Sequence, residues 1–115
     1  MRAARRRKVR LEKAVNDLTT AQWAAIRLAW GGCAYCGSAE PLALQRDCVL
    51  PLSRGGRYTL TNIVPACRSC NASKSNDEVT SWLRRKRLDE RAFLTRFTEV
   101  QALLALQVAE IASTP

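Results

Sequence analysis

The sequence contains no histidine. That absence removes the side chain most often used as a general base near neutral pH. Long apolar runs are also missing: none approaches the roughly 18 residues needed to span a bilayer, so no membrane partner is expected. The charged N-terminus is not followed by the apolar stretch of a secretory leader, because Glu12, Lys13, Asn16 and Asp17 interrupt it. The expectation is a cytoplasmic chain, in a compartment where thiols stay reduced. Acidic residues are scarce, with 10 Asp and Glu against 19 Lys and Arg, a net charge of +9 and a pI near 10.1. Such an excess attracts polyanions, either nucleic acid or an anionic membrane surface. Basic structural proteins share it, so charge alone does not choose a partner. Beyond one basic arm there are no low-complexity segments and no repeats.

What the sequence does contain points to one small domain. Its 115 residues are 47% hydrophobic, enough to fold, yet a chain of this size buries roughly two thirds of its unfolded surface at best. A structural metal would help it. Five cysteines in a reducing compartment favour metal over disulfides.

Residues 1–18 form a basic arm, with Arg2, Arg5, Arg6, Arg7, Lys8 and Arg10 in its first ten positions. Like charges repel one another and stay extended until they meet phosphates; the plainer alternative is a solvated tail. Thr19 and Gln22 then make a capping-box pattern, and Leu18 and Trp23 are spaced for a hydrophobic staple. Trp23, Ile26, Ala29 and Trp30 fall on one helical face, and Gly31-Gly32 ends that helix. Between Leu42 and Leu52 partial alternation predicts short strands. Ser53-Arg54-Gly55-Gly56-Arg57 reads as a loop. Thr61 is expected to cap a short helical turn before Pro65. A helix is expected to begin near Cys70, with Asn76 or Asp77 capping the next and Asp89 the last. In that last helix Phe93, Phe97, Val100, Leu104, Val108 and Ile111 form an amphipathic stripe. The stripe is expected to cover the core; a dimer seam is its other use, and monomer or homodimer is left undecided.

Cys33-Ala-Tyr-Cys36 and Cys67-Arg-Ser-Cys70 are two CxxC knuckles separated by thirty residues. Each knuckle offers two thiolates on one side, and two knuckles complete the tetrahedral shell that zinc prefers. A redox CxxC would not need the second pair. A closed site of this kind stabilises a fold and performs no chemistry. One structural Zn²⁺ per chain is expected.

Between and after the knuckles stand Arg46-Asp47-Cys48-Val49-Leu50-Pro51-Leu52-Ser53-Arg54-Gly55-Gly56, then Asn62, then Cys67-Arg68-Ser69-Cys70-Asn71 and Lys74. In this order, from about Thr19 to Lys74, the chain resembles the zinc-knuckle type of HNH endonuclease, except that Cys48 stands where the family has its catalytic histidine. The resemblance implies an α+β fold: a small ββα-metal (His-Me finger-like) core stapled by the four-cysteine site. An HNH nuclease domain would span 19–80, and a C-terminal helical extension packed on it would span 81–115.

The resemblance also implies metal-dependent hydrolysis of phosphodiester bonds, usually in double-stranded DNA, in a family whose small members occur in bacteria and their phages. Asp47 and Asn71 would hold a catalytic Mg²⁺ or Mn²⁺, since hard ions take oxygen ligands. Asn62 would tie down the loop through backbone hydrogen bonds. Gly55 and Gly56 would allow its tight return. Arg54, Arg57, Arg68 and Lys74 would contact phosphates, with help from the arm and from Arg84, Arg85, Lys86 and Arg87. Each of these residues also has a plainer use, as a helix cap or a solvated charge.

Cys48 leaves several readings open. A free thiol has a pKa of about 8.5, so only a few per cent is thiolate at neutral pH, and losing a positioned base costs roughly 10²–10⁴-fold. Cys48 is a natural or an introduced change that weakens the enzyme, a working thiolate base, or simply a small buried strand residue. Two further functions compete with the nuclease: a non-catalytic nucleic-acid-binding module on the same scaffold, and a protein–protein adaptor.

Overall fold

The computed structural model describes residues 17–39 and 44–113, with side chains of the last helix described to Gln107. Residues 1–16 of the expected basic arm, the start of the expected strand region at Leu42, and the side chains of Val108 and Ile111 lie outside the described residues, whereas Leu18, at the end of that arm, is buried. The elements are α1 (Thr20–Trp30), β1 (Gln45–Cys48), a 3₁₀ turn (Leu52–Arg54), β2 (Ile63–Ala66), α2 (Arg68–Lys74), α3 (Val79–Arg85) and α4 (Glu90–Ser113). The fold is α+β, and β1, β2 and α2 follow one another as a ββα unit.

Local chemistry explains most boundaries. Thr19 and Gln22 form a reciprocal capping box at the start of α1, with bonds of 3.0 and 2.9 Å. At its end Gly31 takes φ +72° and its N–H returns to the Arg27 carbonyl, a left-handed cap that costs glycine little. Asp89 accepts from the Ala92 N–H at 2.9 Å and starts α4. The cap of α3 falls on Glu78 rather than on Asn76 or Asp77; its carboxylate accepts the N–H groups of Thr80 and Ser81. These bonds, led by the Thr80 side chain, lower the Glu78 pKa to about 2. The helix-dipole preference for an anion at this end favours the same choice.

The strands pair antiparallel, with Gln45 opposite Ala66, Arg46 opposite Pro65, Asp47 opposite Val64 and Cys48 opposite Ile63. Pro65 thus lies inside a strand. The turn expected before it begins at Thr59 and not at Thr61, which lies inside it: the amides of Asn62 and Ile63 both bond back to the Thr59 carbonyl. The proline is tolerated because its carbonyl points away from β1 and accepts the Ala34 N–H at 2.8 Å. At such an outward-facing position the missing N–H costs the ladder nothing.

All four residues of β2 are buried, and its alternating side chains feed two cores. Val64 and Ala66 join Cys33, Tyr35, Val79, Trp82, Leu83 and Phe93. Ile63 joins Leu18, Trp23, Ile26, Val100 and Leu104. The α4 stripe spans both, giving Phe93 to the first and Val100 and Leu104 to the second. Arg96 adds a bond of 2.7 Å from α4 to the Ala29 carbonyl at the end of α1. Trp82 anchors the first core, edge-on to Tyr35 at 5.1 Å, with its indole N–H on Ser73 Oγ at 3.1 Å. Replacing Trp82 by alanine should lower the unfolding free energy by about 3–5 kcal/mol, measured by denaturant titration of the metal-loaded chain.

Candidate metal centre and strand–helix seam

The two knuckles converge because each is held by its own backbone. In the first, Gly37 takes φ +80°, its N–H bonds the Cys33 carbonyl at 2.9 Å, and Ala34 is pinned to β2. In the second, Cys67 is the N-cap of α2 and its sulfur accepts the Cys70 N–H at 3.4 Å. The sulfur of Cys33 likewise accepts the Tyr35 N–H at 3.4 Å. The Sγ atoms of Cys33, Cys36, Cys67 and Cys70 all lie within 4.8 Å of one another, and Cys36 and Cys67 are 3.7 Å apart. Four thiolates about 2.3 Å from one zinc ion would stand about 3.8 Å apart at the corners of a tetrahedron. The cluster is therefore compatible with a structural zinc site, and the short N–H···S contacts would help to hold thiolate charge.

Beside this cluster, β1 and α2 form a polar seam. Asp47 is buried, and its Oδ2 accepts the Tyr35 hydroxyl and faces the Lys74 ammonium at 3.2 Å. The same ammonium donates to the Cys48 carbonyl at 2.9 Å. Burial raises the Asp47 pKa, while Tyr35 and Lys74 oppose the rise. Burial, and then Asp47, push the Tyr35 phenol far upward, so it stays protonated and donates. One turn earlier on α2, Asn71 Nδ2 donates to Gln45 Oε1 at 2.7 Å. Asn71 and Lys74 thus address Gln45 and Asp47, two residues apart on one face of β1.

Cys48 points to the other face of β1 and packs, half-buried, against the second core. Burial and the Asp47 charge push its thiol up to about 11, against a smaller downward pull from Lys74. It is a neutral thiol at physiological pH.

Asn62 closes the loop between the strands. It accepts the Leu50 N–H at 2.8 Å and donates to the carbonyls of Leu50 and Arg57 at 2.9 and 2.8 Å. Gly55 takes φ +90°, and a Cβ on Gly56 would come within 1.7 Å of the Leu50 carbonyl oxygen, so the return admits no side chain there. Arg54, Arg57 and Arg68 stand exposed around this loop and at the start of α2. Lys74 requires a correction: the expected phosphate contact needs an accessible ammonium, and this one is fully buried and committed to Asp47 and Cys48. Arg84 and Arg85 are exposed but paired with Glu90 and Asp77, contacts of little net stability that phosphate could displace. Lys86 and Arg87 are exposed.

Two residues of the seam escaped the sequence reading. Tyr35 had a signal in its place inside the first knuckle, Cys33-Ala-Tyr-Cys36. Gln45 had only its two-residue spacing from Asp47.

Residues 33–77 match the model of the HNH endonuclease family. This segment runs from the first knuckle through the seam to the residues after α2 and covers less than half of the chain. The match supports a nuclease or nucleic-acid-related function in general. No curated protein matches the chain. Among the described residues no helix is long and apolar enough to cross a membrane.

Two measurements bear on these sites. Elemental analysis of purified chain should find close to one zinc per molecule, and Cys70→Ser should lose the zinc and melt at a lower temperature; a zinc-free chain with an unchanged amide spectrum would contradict the staple. Iodoacetamide at pH 8 should label Cys48 in zinc-loaded protein at least about tenfold more slowly than a free cysteine, because only thiolate reacts. Labelling at the free-cysteine rate would show that the thiol is not held up.

Proposed function

We propose that this chain is an HNH-type domain that binds double-stranded DNA and whose phosphodiester hydrolysis is crippled at Cys48. The observation that carries the reading is the placement of Cys48, half-buried against the second core on the face of β1 away from Asp47, at the position where the resemblance puts the family's base. A neutral thiol takes no proton from water, and no histidine is present to substitute. The loss of a positioned base accounts for roughly 10²–10⁴-fold in rate.

The remaining site fits the nuclease pattern in chemistry. The seam bonds fall on Oδ2 of Asp47 and Nδ2 of Asn71; their Oδ1 atoms are hard donors of the kind Mg²⁺ or Mn²⁺ takes. When bound, such an ion would offset negative charge developing on the phosphate. Lys74 already balances the charge of Asp47, so the seam attracts a divalent ion less strongly than an unpaired carboxylate would. Asn62 keeps the intervening loop in shape, and Arg54, Arg57 and Arg68 supply exposed cations for the backbone phosphates. A net charge of +9 favours that encounter and makes it salt-dependent.

The test compares this chain with Cys48→His on supercoiled plasmid, with Mg²⁺ or Mn²⁺ and with EDTA. The histidine variant should nick the plasmid at least about 10²-fold faster, while both bind DNA equally and lose affinity steeply with salt. Equal cutting by the two, abolished in Cys48→Ala, would make the thiol a working base. No cutting by either, with DNA binding intact, would leave a binding module and strip Asp47 and Asn71 of a catalytic role.

A further inference from the structure

Among the described residues, Asp47 and Lys74 are the buried charged side chains, and each partner of Asp47 is rooted in a different zinc knuckle. Tyr35 lies between Cys33 and Cys36, and its own N–H is bonded to the Cys33 sulfur. Its ring is fixed edge-on to Trp82 and tilted against Phe93 at 5.2 Å, so the hydroxyl is aimed at Asp47 by the first knuckle. Lys74 follows Cys70 by four residues, on the same face of α2, and α2 is capped by Cys67. Its ammonium is therefore aimed by the second knuckle.

We propose that Tyr35 and Lys74 are positioning residues that couple the zinc site to Asp47: filling the four-cysteine site fixes the carboxylate, and emptying it releases the carboxylate. A buried carboxylate is tolerable only with its partners in place. Both partners reach it together only while the knuckles are drawn to one another, and four thiolates without a cation repel. Coupling is reciprocal, so the bonds to Asp47 must in turn strengthen zinc binding. The zinc linkage stands on the seam geometry alone; only the consequence for phosphate chemistry rests on the function proposed above.

The first test follows the Lys74 ammonium by NMR in the full, zinc-loaded, ¹⁵N-labelled chain, since a buried, bonded ammonium is shielded from the fast exchange of exposed lysines. During stepwise chelation the Lys74 signal should vanish in proportion to zinc lost, while methyl signals of Ile26, Val100 and Leu104 persist. Survival of the ammonium signal in zinc-free, folded chain would overturn the coupling. If the whole chain unfolds on chelation, a rate comparison decides. Zinc release into excess chelator should be about tenfold faster in Tyr35→Phe. It should also be faster there than in Leu104→Ala, although the latter loses more thermal stability. Release rates that simply follow loss of melting temperature would also overturn it. Neither readout involves DNA, so failure here leaves the nuclease reading intact, and failure to cut DNA leaves the coupling intact.

Discussion

A carboxylate and an ammonium 3.2 Å apart, both buried, set the terms for the rest of this small fold. Moving two such charges out of water costs several kcal/mol per ion, and only dense hydrogen bonding offsets it. The Tyr35 hydroxyl and the Cys48 carbonyl supply that bonding. The consequence is geometric: β1, α2 and the first knuckle must meet at one point, or the charges are left unsatisfied. A pair of four-residue strands has little holding power of its own. Here its position is fixed by a polar contact with strict geometry.

The apolar packing divides around that point. β2, buried along its whole length, is the partition: Val64 and Ala66 face the aromatic core of Tyr35, Trp82 and Phe93, and Ile63 faces the aliphatic core behind α1. α4 bridges the two and compensates for the small size of the ββα unit, which alone could not bury enough surface to be stable. The polar seam, the knuckles and the bulk of the aromatic core thus form one cooperative unit, and disturbing any of them is felt at the others.

The same arrangement gives adjacent residues opposite fates. Asp47 and Cys48 are neighbours, but strand alternation turns one toward Lys74 and Tyr35 and the other toward the second core. The carboxylate is held by partners, and the thiol is held neutral by burial. A histidine at position 48 would titrate near neutrality in water; a thiol in this setting does not. The seam is therefore kept intact beside a side chain at position 48 that does not accept a proton at physiological pH.

Much of this was determined by the sequence itself, where the physics is local. The capping box at Thr19 and Gln22, the left-handed stop at Gly31, the Asp89 cap and the two CxxC turns follow from side chains acting within a few residues of their own backbone. The ordered spacing of Asp47, Gly55, Gly56, Asn62 and Asn71 was enough to find the HNH segment. What only the tertiary structure decided is long-range. Pro65 entered a strand because its carbonyl faces the first knuckle rather than β1. Glu78 displaced Asn76 and Asp77 as cap because its carboxylate takes two N–H groups at once. Lys74 left the surface, and Tyr35 became part of the site, because Asp47 was buried between two knuckles that lie far apart in the chain. Charge and spacing identify a lysine as a cation; whether it meets a phosphate or a buried carboxylate depends on which groups the fold brings within 3 to 4 Å, which local patterns do not encode.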